Sequence, residues 1–371
     1  MSTSTTSISP QMVSPTDDEL LLAQADLWRH SLYYLTSMAL RCAVKLGIST
    51  AIHRLGGNAT LPDLITALSL PHAKLPFLRR LMRLLLRRFH HRPERWHGRG
   101  GGGIRPCAAL LFLVDGVFTG SAVDDGHTNQ SAFVLAATSA HYVKAALGLA
   151  DWFSKDDAPP ANAAVSPFEA VHGAPLLHET RMDPELNRLR GLVSQNHMGI
   201  GLALRESRRV FEGLESLVDC GGGDGAMARA IVRAFPGIKC TVIGTAPVAD
   251  GAVEYVAGDM FSYIPPAQGV LLKYVLSHWS DQDSVKILAQ CKKAIPSREA
   301  GGKVIIKDVV VGTSSGQMLE AELLMDMAMM VMTSGRERDE QEWREIFTNA
   351  GFSSYKIMNK LGARCVIEVY P

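Results

Sequence analysis

The segment Val218-Asp219-Cys220-Gly221-Gly222-Gly223-Asp224-Gly225 stands between a short apolar run and a helix-forming one. Glycines at such a junction accept positive φ and let the backbone approach a ligand closely. Gly221-x-Gly223-x-x-Ala226 also satisfies the dinucleotide-binding pattern. The loop alone therefore leaves a nicotinamide cofactor, S-adenosylmethionine and a plain tight turn all open. Two later stretches narrow the choice. Gly258-Asp259-Met260 follows a strand-like stretch and precedes Phe261, which offers a carboxylate and an apolar side chain to the edge and face of a purine. Lys273-Tyr274-Val275-Leu276-Ser277-His278-Trp279 closes the next strand and brings polar groups to the same crevice. These features favour S-adenosylmethionine. A nicotinamide site would want an acid at the end of the second strand and a Tyr/Lys pair, and neither is found.

Such residues need a sheet to hold them. After Glu215 the pattern alternates: LVDC, KCTVI, VLLKYVL and KVIIKDVVV read as strands, and AMARAIVRAF and DQDSVKILAQCKKAI read as helices. Two more helices, around MLEAELLMDMAMMVMT and DEQEWREIFTNA, precede the strand CVIEVY. The third strand is expected to end near Ser277. Alternation of this kind predicts a parallel sheet covered on both faces, with ligands bound beyond the carboxyl ends of its strands. Upstream the pattern is helical. From Asp17 to about Leu86 the apolar residues recur at three- and four-residue spacings, and parts are apolar all round, so this region must bury itself in a core or against a second chain. Helices resume from Ser131 to about Arg209. The Met-rich run Met325–Met332 suits an adaptable apolar pocket, and ordinary helix core explains most of it equally well.

Composition sets the remaining bounds. The chain of 371 residues has room for two domains. A formal net charge of +1 gives no global pull toward nucleic acid or an anionic membrane. Six scattered cysteines without a CxxC pair argue against a metal knuckle or a disulfide framework, and suit a reducing, cytoplasmic setting. Residues 1–16 are Ser/Thr-rich without an apolar core and read as a disordered tail. No run reaches the roughly 18 apolar residues of a membrane span.

The segments GGGDGAMARAI (221–231), VAGDMF (256–261), LLKYVL (271–276), CKKAIPSREAGGKVII (291–306), GRERDEQEW (335–343) and IEVYP (367–371) together resemble plant caffeic-acid and flavonoid-type O-methyltransferases. Grass members acting on phenolics or alkylresorcinols are the most similar. MALRCAVKLGI (38–48), LRRLMRLL (78–85), HYVKAALGLADWF (141–153) and SPFEAVHG (166–173) extend the resemblance over residues 17–371. It implies a class I, Rossmann-like α/β methyltransferase domain that uses S-adenosylmethionine and no metal. It also implies an all-helical, winged-helix-like dimerisation domain over residues 17–118, with an irregular loop at 87–111. Residues 119–371 would hold a helical pocket segment and the catalytic domain. A homodimer and a small phenolic substrate follow, with no nucleic acid or membrane partner. Carried over by position, Gly221 lies in the cofactor loop, Asp259 and Met260 hold the adenine, Lys273 helps to hold the cofactor, and Trp279 lines the adenine pocket. Asp308 and Glu337 flank the catalytic histidine.

Three departures from that family stand out. Where its members read Leu-His-Asp-Trp, this chain reads Leu276-Ser277-His278-Trp279. A phenol titrates near pH 10, as tyrosine does, so a base should take its proton. His278 is then the expected base, displaced by one residue, with Asp308 and Glu337 orienting it. The second strand ends at Gly244 instead of an acid that would accept from the ribose hydroxyls; Asp250 could substitute. Finally, Arg87–Leu111 does not follow the family's short wing, and a compensated reading-frame shift in the gene would produce such a stretch. The Ser277 and Gly244 changes also raise the alternative of a catalytically impaired member that serves as a dimer partner or is a decaying copy.

Overall fold

The computed structural model describes residues 15–89, 104–105, 108–115, 129–155, 165–196, 208–244, 251 and 253–371. The N-terminal region is helical: α1 (Asp17–Leu46), α2 (Ile48–Arg54), α3 (Leu61–Ala67), α4 (Leu75–Phe89) and a short α5 (Ala108–Leu111). Thr16, placed in the tail by its composition, in fact caps α1. Its hydroxyl accepts from the Glu19 N–H, and Glu19 accepts from the Thr16 N–H. Gly47 ends α1 at φ +69°. The stretch 87–111, expected to be irregular throughout, is helical at both ends. Between them Ile104 pairs with Ala59 in one antiparallel bridge and is itself buried. Val134 of the next segment joins this N-terminal core. Along α1, however, Leu20, Leu21, Leu22, Leu27, Trp28 and Leu32 remain exposed.

The middle segment forms α6 (Ser131–Ala137), α7 (Ala140–Leu147), α8 (Leu149–Phe153), α9 (Pro167–His172), α10 (Leu176–Met182), α11 (Pro184–Asn196) and α12 (Arg208–Phe211). Its run 131–153 is three helices rather than one, because Ser139 restarts the chain with an N-cap bond to the Tyr142 N–H. Ala145 and Phe168 pack with Val331 and Met332, fastening this segment to the C-terminal region.

Among the described residues the C-terminal region holds nine strands: β1 (Ser216–Cys220), β2 (Lys239–Gly244), β3 (Glu254–Ala257), β4 (Gly269–Lys273), β5 (Lys303–Asp308), β6 (Val310–Val311), β7 (Arg338–Asp339), β8 (Ser354–Leu361) and β9 (Arg364–Tyr370). Its helices are α13 (Ala226–Ala234), α14 (Asp281–Ala294), α15 (Gly316–Thr333) and α16 (Glu340–Asn349). Seven strands form one sheet in the order β3-β2-β1-β4-β5-β9-β8, and β6 pairs with β7 separately. The expectation of a parallel sheet holds for β1 to β5 and fails at β9, which runs antiparallel to both β5 and β8. The tight Gly362 turn makes β8 and β9 a hairpin, whose strands must run antiparallel, and it is β9 of that hairpin that pairs with β5. Apolar clusters cover both faces of the sheet. The chain order reverses between β1 and β4, the place where such sheets leave a ligand crevice.

Candidate active site

At that reversal the glycine loop leaves β1. Gly221, Gly223 and Gly225 all take positive φ. A Cβ on Gly222 would overlap the Asp219 carboxylate, and one on Gly225 would overlap the Tyr255 ring and hydroxyl. Glycine is thus required sterically as well as conformationally. The Tyr255 hydroxyl donates to the Asp224 carbonyl at 2.8 Å, and Arg229 donates to the same carbonyl at 2.6 Å, so the loop is braced from β3 and from α13. Beneath it Asp219 is buried, which raises its pKa to about 6, while Lys273 at the end of β4 pulls it back down. Burial lowers the pKa of Lys273 in turn, and Asp219 opposes that shift. Lys273 lies beside Lys307 in register.

Asp259 follows β3 by two residues. Its oxygens accept from the Phe261 N–H at 3.0 Å and the Ser262 hydroxyl at 2.9 Å, which fixes the carboxylate at the crevice rim with lone pairs to spare. Met260, Phe261 and Trp279 pack together on the core, with the Phe261 and Trp279 rings edge to face at 4.8 Å. The second strand does end at Gly244, where a Cβ would come within 3.3 Å of the Gly223 carbonyl. Asp250 falls outside the described residues.

Ser277 and His278 do not sit on a strand. β4 stops at Lys273, four residues before its expected end. Tyr274 then takes φ +54°, and Leu276–His278 form a 3₁₀ turn. A one-residue step in a 3₁₀ turn rotates a side chain by roughly 120° rather than reversing it. Ser277 consequently faces the carboxyls, and His278 does not. Ser277 is 2% exposed. Its hydroxyl and backbone N–H both act to lower the pKa of Asp308, against burial, which raises it. Glu337 stands next to Asp308, and burial followed by that neighbouring charge pushes its pKa well up. His278, by contrast, is exposed to solvent on the same turn. Burial and then the Arg190 charge push its pKa down to about 4. The exposed edge screens part of this effect, and in either case the ring is neutral at pH 7.

Arg338, which the sequence reading passed over, holds this turn. It is fully buried. It donates to the Leu276 carbonyl at 2.9 Å, the Trp279 carbonyl at 2.8 Å, the Asp281 carboxylate at 2.8 Å and the Ser284 hydroxyl at 3.2 Å. Its neighbour Arg336 donates its N–H to the Ser277 carbonyl at 3.0 Å. Within the charged run 336–342 nothing marks it as buried, since such runs are ordinarily solvated.

The model of the O-methyltransferase domain matches residues 148–353, and that of the O-methyltransferase dimerisation domain matches residues 28–88. The chain belongs to the O-methyltransferase family. A flavonoid O-methyltransferase-like protein of Oryza sativa subsp. japonica is 58% identical over 98% of this chain and 99% of its own length. Daphnetin O-methyltransferase 1 of Secale cereale is 53% identical over 94% of this chain and 98% of its own. Among solved structures, the methyltransferase CalO1 of calicheamicin biosynthesis, with S-adenosylhomocysteine bound, superposes with a TM-score of 0.73 at 23% identity over 95% of this chain and 99% of its own, a likeness of fold.

Members of this family take their methyl group from S-adenosylmethionine. The residues present fit it. The glycine loop packs so closely on Asp219 and Tyr255 that no side chain fits at 222 or 225, and its bare backbone is left to meet a ligand. Asp259, with Met260, Phe261 and Trp279 beside it, offers a carboxylate and an apolar wall to an adenine. Buried Asp219 and half-buried Lys273 supply charge below the loop. Gly244 leaves the ribose without the usual acid.

Proposed function

We propose that this O-methyltransferase transfers the methyl group of S-adenosylmethionine to a phenolic hydroxyl of a small aromatic compound, and that it works as a homodimer. The observation that carries the reading is the pair of buried carboxyls, Asp308 at the end of β5 and Glu337 just before β7, which meet each other and Ser277 of the turn that follows β4. Two acids at 0% and 6% exposure are costly unless they serve a proton. A phenol, mostly protonated at neutral pH, has one to give up. Grass relatives named for flavonoid and daphnetin methylation support this substrate class. The dimerisation-domain match and the exposed leucines of α1 support the second copy. Bound S-adenosylmethionine would supply an electrophilic methyl group, and the protein's part is to hold the acceptor oxygen in line and remove its proton.

Calorimetric titration with S-adenosylmethionine and S-adenosylhomocysteine, followed by methylation assays on a panel of phenols, tests the reading. Micromolar binding with transfer to at least one phenol is expected. A folded protein that binds neither ligand at millimolar concentration overturns it.

A further inference from the structure

The acceptor's proton needs a destination, and the geometry turns away from His278. Among the described residues the charge acting on His278 is Arg190 of α11, which opposes protonation. The carboxyls lie elsewhere. Oδ2 of Asp308 and Oε2 of Glu337 are buried without a hydrogen-bond partner, and the polar groups of Ser277 act on Asp308. Backbone contacts fix the whole group. The Ser277 carbonyl accepts from the Arg336 N–H at 3.0 Å, Asp308 Oδ1 accepts from the Val309 N–H at 3.2 Å, and the Glu337 N–H donates to Asp326 at 2.9 Å. Gly335 has no room for a Cβ against the Ser277 carbonyl, so the two chain segments approach as closely as backbones can.

We propose that Ser277 relays the proton of the acceptor hydroxyl to Asp308, with Glu337 positioning the Asp308 carboxylate. This rests on the phenol-methylating reading above. In the step, the substrate O–H bond breaks and its electron pair stays on the oxygen, which becomes the nucleophile. The proton joins the Ser277 oxygen as the Ser277 proton passes to Asp308, so the hydroxyl is regenerated and the carboxylate becomes a carboxylic acid. Nothing is oxidised or reduced, and Asp308 returns its proton to solvent when product leaves. Base strength runs in the same direction. Burial makes Asp308 a stronger base than an ordinary carboxylate.

The first readout of the test needs no methyl donor. 4-Nitrophenol, whose phenolate absorbs in the visible, is titrated onto the native chain and onto Ser277→Ala, Ser277→Thr, Asp308→Asn and His278→Ala, while infrared difference spectra follow carboxyl protonation. The bound dye should ionise on the native, Ser277→Thr and His278→Ala proteins, with a carboxylic acid band appearing. On Ser277→Ala and Asp308→Asn the ionised fraction should fall at least about tenfold, and turnover of Ser277→Ala by about 10²-fold or more. Full ionisation on Ser277→Ala, its loss on His278→Ala, or none on the native protein each overturns the relay. A native protein that ionises the dye and methylates no phenol supports the relay and sinks the substrate reading instead, so the two failures are distinct.

Discussion

Replacing Arg338 by methionine should loosen the turn that carries Ser277 and His278. The side chain is fully buried and makes four donor contacts. The bond to Asp281 counts for little, because that carboxylate is 47% exposed and solvent screens it. The carbonyls of Leu276 and Trp279 count for more. Each accepts a charged donor, a bond of about 1.5–3 kcal/mol, and each would be stranded. Methionine recovers part of the packing on Trp343 and removes the cost of burying a charge, so the net loss is about 3–5 kcal/mol. For a cooperative unit of roughly 250 residues, 1 kcal/mol moves the midpoint by about 2 °C, which gives a fall of about 6–10 °C. Scanning calorimetry at fixed protein concentration measures it. Turnover should fall as well, since the turn positions the proton-accepting group. Arg338→Lys should lie between, because one ammonium cannot reach acceptors on three sides. A fall below about 2 °C for Arg338→Met, with unchanged turnover, would refute the clamp.

Three further outcomes are expected. Gly225→Ala forces a side chain onto Tyr255 at φ +76°, and S-adenosylhomocysteine should bind at least about tenfold more weakly by calorimetry, with far-ultraviolet dichroism unchanged; native affinity would show that the loop yields. Glu337 holds a proton in the folded state that the unfolded chain loses above about pH 4.3. Its stabilisation is therefore complete below that pH and is lost as pH rises toward the higher folded value. Glu337→Gln should gain stability over the native chain as pH climbs from about 5 to 8, and a constant difference would refute the shift. Replacing Leu21 and Leu32 together by Glu on the exposed face of α1 should give monomers in sedimentation, and an unchanged dimer would place the interface elsewhere.

What could be read in the sequence follows from how local each signal is. β1, β5 and α13 are legible because apolar periodicity and glycine spacing act within ten residues. The adjacency of Asp308 and Glu337 came from family likeness, since 28 residues of helix and loop separate them. The end of β4 was misjudged because Tyr274-Val275-Leu276 is as β-prone as the strand before it; the left-handed turn at Tyr274 is imposed by its surroundings. His278 was given the base role as the imidazole next to the family's base position, whereas in the 3₁₀ turn it is Ser277 that acts on Asp308. Arg338 was illegible for the opposite reason. Its value lies in carbonyls about 60 residues away, which carry no sequence signal. β8 is partly polar and gains its strand character from pairing with β9.

The position of β9 between β5 and β8 has a consequence in time. On the ribosome β5 is complete 56 residues before β9 begins, by the difference between 308 and 364. At about 5–20 residues per second this leaves the nascent chain with an unpaired edge for some 3–11 s. The edge carries Val304-Ile305-Ile306, an apolar β-branched run that pairs readily with another copy of itself. Slow codons between residues 308 and 364 should lengthen the exposure and lower the soluble yield, while the finished protein stays the same.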